Sequence, residues 1–272
     1  MPKLLLRPQA ATERIAITPQ TTGWRYLSFF VIELKPGETY RFQRTGEEAA
    51  LVPIAGRAEV RLDGEPHFTA RESVFEALPE VFYAPPEVEI EVKAEGPFSF
   101  AVGSAPAEGR LQPRVIRPKE IRVEIRGGAN VTRQISHILA PPLPAERLLL
   151  FEVYTPSGNW SSWPPHRHDG RLGSPYLEEV YYYRITPQNG WAIQRVYAED
   201  LDETLRVEDG QAVLVPRGYH PAVAAPGSNV YYLNYLAGDE RTTRVVDDPD
   251  WAWMREDWTG RALKLPIGRE EA

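Results

Sequence analysis

Apolar residues fall in short runs along the chain, and turn formers separate them. Residues 26–34 (YLSFFVIEL) read as a strand, closed by the Lys35-Pro36-Gly37-Glu38 turn. Residues 49–54 and 58–62 read as two more strands, with Asp63-Gly64 as a hairpin turn. Residues 74–78, 81–84, 88–93 and 98–103 continue the series. Turn signals recur roughly every 8–12 residues, which predicts a β-sandwich or barrel. The charged, proline-punctuated stretch 111–120 reads as a connector. A second series follows at 148–154, 179–185, 192–197, 204–207, 212–215 and 230–236, with Asp209-Gly210 as a second hairpin-type turn. The pattern predicts an all-β chain in two units, residues 1–118 and 119–272. Trp251, Trp253 and Trp258 in the tail are expected to pack on the outside of the barrel or on a neighbouring subunit.

The halves read as a degenerate repeat. Residues 47–50 (EEAA) are set against 178–181 (EEVY), and 78–83 (LPEVFY) against 215–220 (VPRGYH). In that overlay Tyr83 takes the place of His220, so only the second unit has a polar centre.

Composition narrows the chemistry. The 272 residues contain 20 Gly and 26 Pro, which favours turns and short strands over long helices. A net charge of -7 argues against a nucleic-acid partner, which needs a basic face. Zero cysteines exclude disulfides, thiolate zinc, iron–sulfur ligation and a cysteine nucleophile, and are compatible with a reducing cytoplasm. The three leucines at 4–6 are too few for a signal peptide, and no run approaches a membrane span, so a cytoplasmic protein is expected.

Four ligand-type residues stand out: His166, His168, Glu179 and His220. On a strand, His166-Arg167-His168 puts both imidazoles on one face. Glu178 competes with Glu179, since adjacent strand residues point to opposite faces and only one can reach the centre. Three imidazoles and a carboxylate suit a divalent Zn, Mn, Fe, Ni or Co ion, with zinc the first choice. His67 and His137, without partners in the sequence, read as structural.

The order His-x-His, Glu, then Pro216-Arg217-Gly218-Tyr219-His220 resembles the cupin metal signature. The surrounding strings are more specific: 160–169 (WSSWPPHRHD), 177–184 (LEEVYYYR), 189–197 (NGWAIQRVY), 231–234 (YYLN) and 247–251 (DDPDW), with 23–29 (GWRYLSF) in the first half. They resemble the 5-deoxy-glucuronate isomerase family of bacterial myo-inositol catabolism. That family shares its fold with the ketol-isomerase acting on a deoxy hexosulose uronate in pectin breakdown. The resemblance implies a bicupin, two jelly-roll-like β-barrels in tandem, and a metal-assisted aldose–ketose isomerase of a sugar acid. It selects Glu179, which precedes Val180-Tyr181 as the family's ligand glutamate precedes a small or branched residue and an aromatic.

The substrate carboxylate calls for arginine; Arg184, Arg195 and Arg217 are the candidates, with Tyr181 and Tyr183 lining the pocket. A metal-bound hydroxide, Asp169 or a barrel tyrosine such as Tyr219 would serve as base. A homo-oligomer is compatible with all of this. Two rival readings are an Fe(II) dioxygenase on the same ligand set and a non-catalytic sugar-binding bicupin.

Overall fold

The computed structural model describes residues 3–258. Strands dominate, and the helical pieces are one short α-helix at Pro19–Thr22 and three 3-10 turns. No helix among the described residues is long and apolar enough to cross a membrane. An eight-stranded sheet is built from strands between Glu13 and Ile116. A seven-stranded, a four-stranded and a two-stranded sheet take the strands between Arg122 and Asp247. The strand Leu5–Leu6 crosses over: it pairs with Ala212 and Val213 in the seven-stranded sheet, although it lies in the first predicted unit.

Several predicted runs fuse or fail. Residues 49–54 and 58–62 belong to one 16-residue strand, Glu47–Leu62, whose register slips near Gly56. Gly56 has φ 101, and a Cβ there would lie 2.0 Å from the Pro97 carbonyl oxygen, so glycine is what lets the strand bend. Likewise 98–103 and all of 88–93 but its first two residues lie within Ile90–Pro106. Residues 74–76, predicted as strand, form a turn. The stretch read as a connector contains the strand Arg114–Ile116, which pairs with Val81–Tyr83. Asp63-Gly64 does close a hairpin. Asp209-Gly210 does not: it links Leu201–Glu208 to Ala212–Val215, and these lie in different sheets.

Three apolar clusters organise the packing. One fills the interior of the first half, around Phe30, Phe82, Phe98 and Phe100. A second lies inside the other half, around Tyr181, Tyr183, Val196 and Val213. The third joins the two, from Ile15 and Phe29 to Leu233 and Tyr235. Burial of this shared face is the main cohesive term between the halves.

Two glutamates lock that junction reciprocally. Glu178 accepts the backbone N–H groups of Arg25, Tyr26 and Leu27 at 2.6, 2.9 and 2.9 Å. Glu48 accepts those of Glu146, Arg147 and Leu148 at 2.7, 2.6 and 2.6 Å. Each half therefore fixes a loop of the other with a buried carboxylate. The ladders agree, since Glu48 opposes Ala105 as Glu178 opposes Ala237. This shifts the sequence overlay by one residue. Ala49, not Glu48, takes the place of Glu179, and Tyr83 opposes Ala50 as Leu214 opposes Val180. Tyr83 thus does not stand where His220 does; its hydroxyl bonds Glu48 in the junction.

A buried ion pair adds to the lock. Arg71 of the first half grips Glu152 of the second at 2.7 and 3.0 Å, and Tyr154 and Tyr231 donate to the same carboxylate.

Candidate active site

The strand Leu177–Thr186 carries the glutamate pair. Its alternation sends Val180 and Tyr182 into the shared core, together with the Glu178 carboxylate. Glu179, Tyr181 and Tyr183 face the interior of the second half.

His168, Glu179 and His220 converge there, all buried, with ligand atoms within 4.8 Å of one another. Glu179 Oε2 lies 2.9 Å from His168 Nε2 and 3.3 Å from His220 Nε2. The His166 ring stands 4.9 Å from that of His220, centroid to centroid. Each imidazole is aimed by the same device: Nδ1–H donates to a backbone carbonyl, that of Pro164 for His166, Leu177 for His168 and Gly218 for His220. This leaves Nε2 to face the centre, the orientation imposed on metal-bound histidines by outer hydrogen bonds. His220 Nε2 is buried and makes no hydrogen bond. A buried nitrogen without a partner, beside a carboxylate and two further imidazoles, fits a divalent cation.

The electrostatics match. Burial opposes charge on both partners, but the mutual hydrogen bond outweighs it: the Glu179 carboxyl is held well below its usual range and His168 is raised. Burial and the two neighbouring imidazoles push His166 well down.

Asp169 is not free to act as a base. Arg167, buried between the two histidines and pointing away from the centre, grips it at 2.9 and 2.7 Å, and the Gly218 N–H donates to it at 2.8 Å. Burial pushes the Asp169 carboxyl up, but these donors outweigh it and bring it down to about 2. Asp169 instead ties the 166–168 segment to the turn before His220. Glycine is required in that turn: Gly218 has φ 79, and a Cβ there would lie 2.1 Å from the Tyr197 carbonyl oxygen. Tyr219 packs against Tyr197 and Arg167, away from the centre.

The centre opens into a cavity of about 220 Å³. Tyr181 lines it, its hydroxyl on Ser162 Oγ; Tyr183 stacks behind and donates to Gln194. None of the three predicted arginines lines it. Arg184 pairs with Asp209, Arg195 with Asp202 and Arg217 with Asp200. His67 lies in the first half, opposite Val60.

Sequence reasoning missed other lining residues: Arg133, His137, Tyr232 and Asn234 inside, with Arg122, Arg126 and Arg244. Asn234 interrupts a run otherwise rich in apolar residues, 230–236, and that interruption was the available signal. His137 sits against Arg122; burial and that cation bring it down to about 4.

The chain is similar to known proteins over most of its length. A 5-deoxy-glucuronate isomerase of Geobacillus thermodenitrificans is 43% identical over 249 residues, 89% of this chain and 91% of its own. One of Geobacillus kaustophilus is 41% identical over 266 residues, 94% and 96%. The crystal structure of an IolB-like protein from Salmonella typhimurium superposes with a TM-score of 0.89 at 38% identity, covering 93% of this chain and 99% of that one. Oxalate decarboxylase of Bacillus subtilis shares the fold alone, with a TM-score of 0.63 at 14% identity over 91% of this chain and 78% of its own. The model of the KduI/IolB family matches residues 4–254, and the chain belongs to that family.

Proposed function

We propose that the protein isomerises 5-deoxy-D-glucuronate to 2-deoxy-5-keto-D-gluconate in myo-inositol catabolism. The observation that carries the reading is the convergence of His168, Glu179 and His220, with His166 beside them, at a cavity lined by His166, His168 and Glu179, in a chain up to 43% identical to 5-deoxy-glucuronate isomerases. In the reaction an aldehyde at C1 and a hydroxyl at C2 become a hydroxymethyl and a ketone, with the C2 hydrogen moved to C1 and the hydroxyl proton from O2 to O1. His166, His168, Glu179 and His220 would hold a divalent ion, zinc being the first choice among Zn, Mn, Fe, Ni and Co. Such an ion supplies Lewis acidity to the carbonyl and its neighbouring hydroxyl.

The remaining work falls to the chain. Tyr181 and Tyr232 stay protonated, because burial raises both phenols, and Ser162 and Ser161 hold their hydroxyls along the wall. Phe151 and Leu236 add apolar surface to the cavity wall, which orients a polar chain by exclusion. The Arg167–Asp169–Gly218 link fixes the spacing of the histidines. The test is elemental analysis of the purified protein together with an anaerobic assay on 5-deoxy-glucuronate. Turnover without oxygen and about one equivalent of divalent metal supports the reading; a strict oxygen requirement would replace it with a dioxygenase.

A further inference from the structure

We infer that Arg133 is the anchor for the substrate's carboxylate, an inference that rests on the isomerase reading above. Four arginines line the cavity, and three of them already have an acid: Arg122 and Arg126 share Glu124, and Arg244 pairs with Glu240. Arg133 differs. It is 3% exposed, and among the described residues no carboxylate lies within ion-pair distance of it. Its Nη1 and Nη2 donate to the carbonyls of Val131 and Trp163 at 2.9 and 2.5 Å, and the ring of Trp258 covers it. Two of five N–H donors are thereby used, and the charge stays uncompensated. Burying an unpaired cation is costly, so it persists where a ligand brings the counter-charge.

Its position suits a sugar acid whose other end reacts at the histidines. The Trp163 carbonyl that receives Arg133 and the Pro164 carbonyl that receives His166 are successive along the chain. Arg133 therefore sits one peptide unit from the support of a candidate ligand, inside the same cavity. Asn234 offers a second unspent donor there: it is 4% exposed, and its Nδ2 has no hydrogen-bond partner. Its strand position is opposite Tyr181 and two pairs along from Glu179 and Leu236, on the same face. A polyhydroxy acid supplies oxygen acceptors to both groups, whereas an apolar ligand leaves both unpaired.

The test compares wild type with Arg133→Met and Arg133→Lys on two substrates, 5-deoxy-glucuronate and its neutral counterpart 5-deoxy-glucose. Calorimetric binding of D-glucuronate and D-glucose to each metal-loaded protein provides an arm independent of turnover. For Arg133→Met the acid-over-neutral preference in kcat/KM should fall about 10- to 100-fold, chiefly through KM, with metal content unchanged. D-Glucuronate binding should weaken in parallel, and Arg133→Lys should recover part of both. If Arg133→Met does not fold, Arg133→Gln, whose amide can still donate to a carbonyl, takes its place. An unchanged preference overturns the inference, as does an equal loss on acid and neutral compounds, which marks a structural arginine. If wild type isomerises neither substrate, the isomerase reading falls, and Arg133-dependent binding of D-glucuronate over D-glucose still decides the anchor.

Discussion

Glu178→Gln and Glu179→Gln should fail in different ways although the residues are neighbours. Glu178 is 2% exposed and accepts four bonds, from the N–H groups of Arg25, Tyr26 and Leu27 and from the Tyr176 hydroxyl. Turned so that its oxygen keeps Tyr26 and Leu27, a glutamine donates its NH2 to the Tyr176 hydroxyl, which can accept, and leaves the Arg25 N–H unpaired. A hydrogen bond to a charged group contributes roughly 1.5–3 kcal/mol, and that is the loss expected. For a chain of this size that is a melting temperature lower by roughly 3–12 °C. The loss falls on the junction between the halves, so metal content in the folded protein should stay near wild type. Glu179→Gln removes the carboxylate from between His168 and His220, and the protein should fold with little bound metal and little turnover. Differential scanning calorimetry and metal stoichiometry on the two variants decide the matter. A Glu178→Gln protein melting with wild type, or a Glu179→Gln protein retaining full metal, would refute the assignment of the two faces.

Asp169→Asn should weaken metal affinity about 10- to 100-fold without unfolding the chain, since it loosens the link from Arg167 to the His220 turn; a metal-buffer titration measures it. Arg71→Met should lower stability by about 3–5 kcal/mol in denaturant unfolding, because it strands the Glu152 carboxylate in the junction. Arg195→Ala, which removes a surface partner of Asp202, should leave kcat and KM unchanged within error. Isomerisation run in deuterium oxide should give product without deuterium at C1 by NMR. Among the described residues the carboxylate and the imidazoles lining the cavity are Glu179, His166 and His168, all candidate ligands, and His137, brought down to about 4; the phenols are raised, so no side chain outside the ligand set is a base poised near neutrality.

What the sequence made legible follows from its periodicities. Strand alternation put Glu178 and Glu179 on opposite faces, but it does not say which face is the interior. That is decided by the 25–27 loop, about 150 residues away, which needs an acceptor for three backbone N–H groups. The arginines illustrate the same limit. Arg184, Arg195 and Arg217 looked available because their acids, Asp209, Asp202 and Asp200, are brought to them by turns rather than by helical or strand spacing. Arg133 was passed over because nothing local marks a cation that lacks an acid. Val74 and Phe75 read as strand because they are apolar and β-prone; in the fold Val74 caps the shared core from a turn.

The off-by-one overlay also explains why only one half has a polar centre. The clamping glutamate is present in both, as Glu48 and Glu178, so the junction keeps its symmetry. The residue after it is Ala49 in one half and Glu179 in the other. Around Ala49 the interior is filled by rings that carry no hydroxyl, Phe30, Phe82, Phe98 and Phe100. Around Glu179 stand Tyr181, Tyr232 and Asn234, and the cavity remains. An open, polar interior sacrifices packing contacts that a filled one gains. The second half can tolerate that loss because its other face lies in the shared core, where Val180, Tyr182, Leu233 and Tyr235 pack against the first half. On this account the first half acts on catalysis indirectly, as the packed support that lets its neighbour stay hollow.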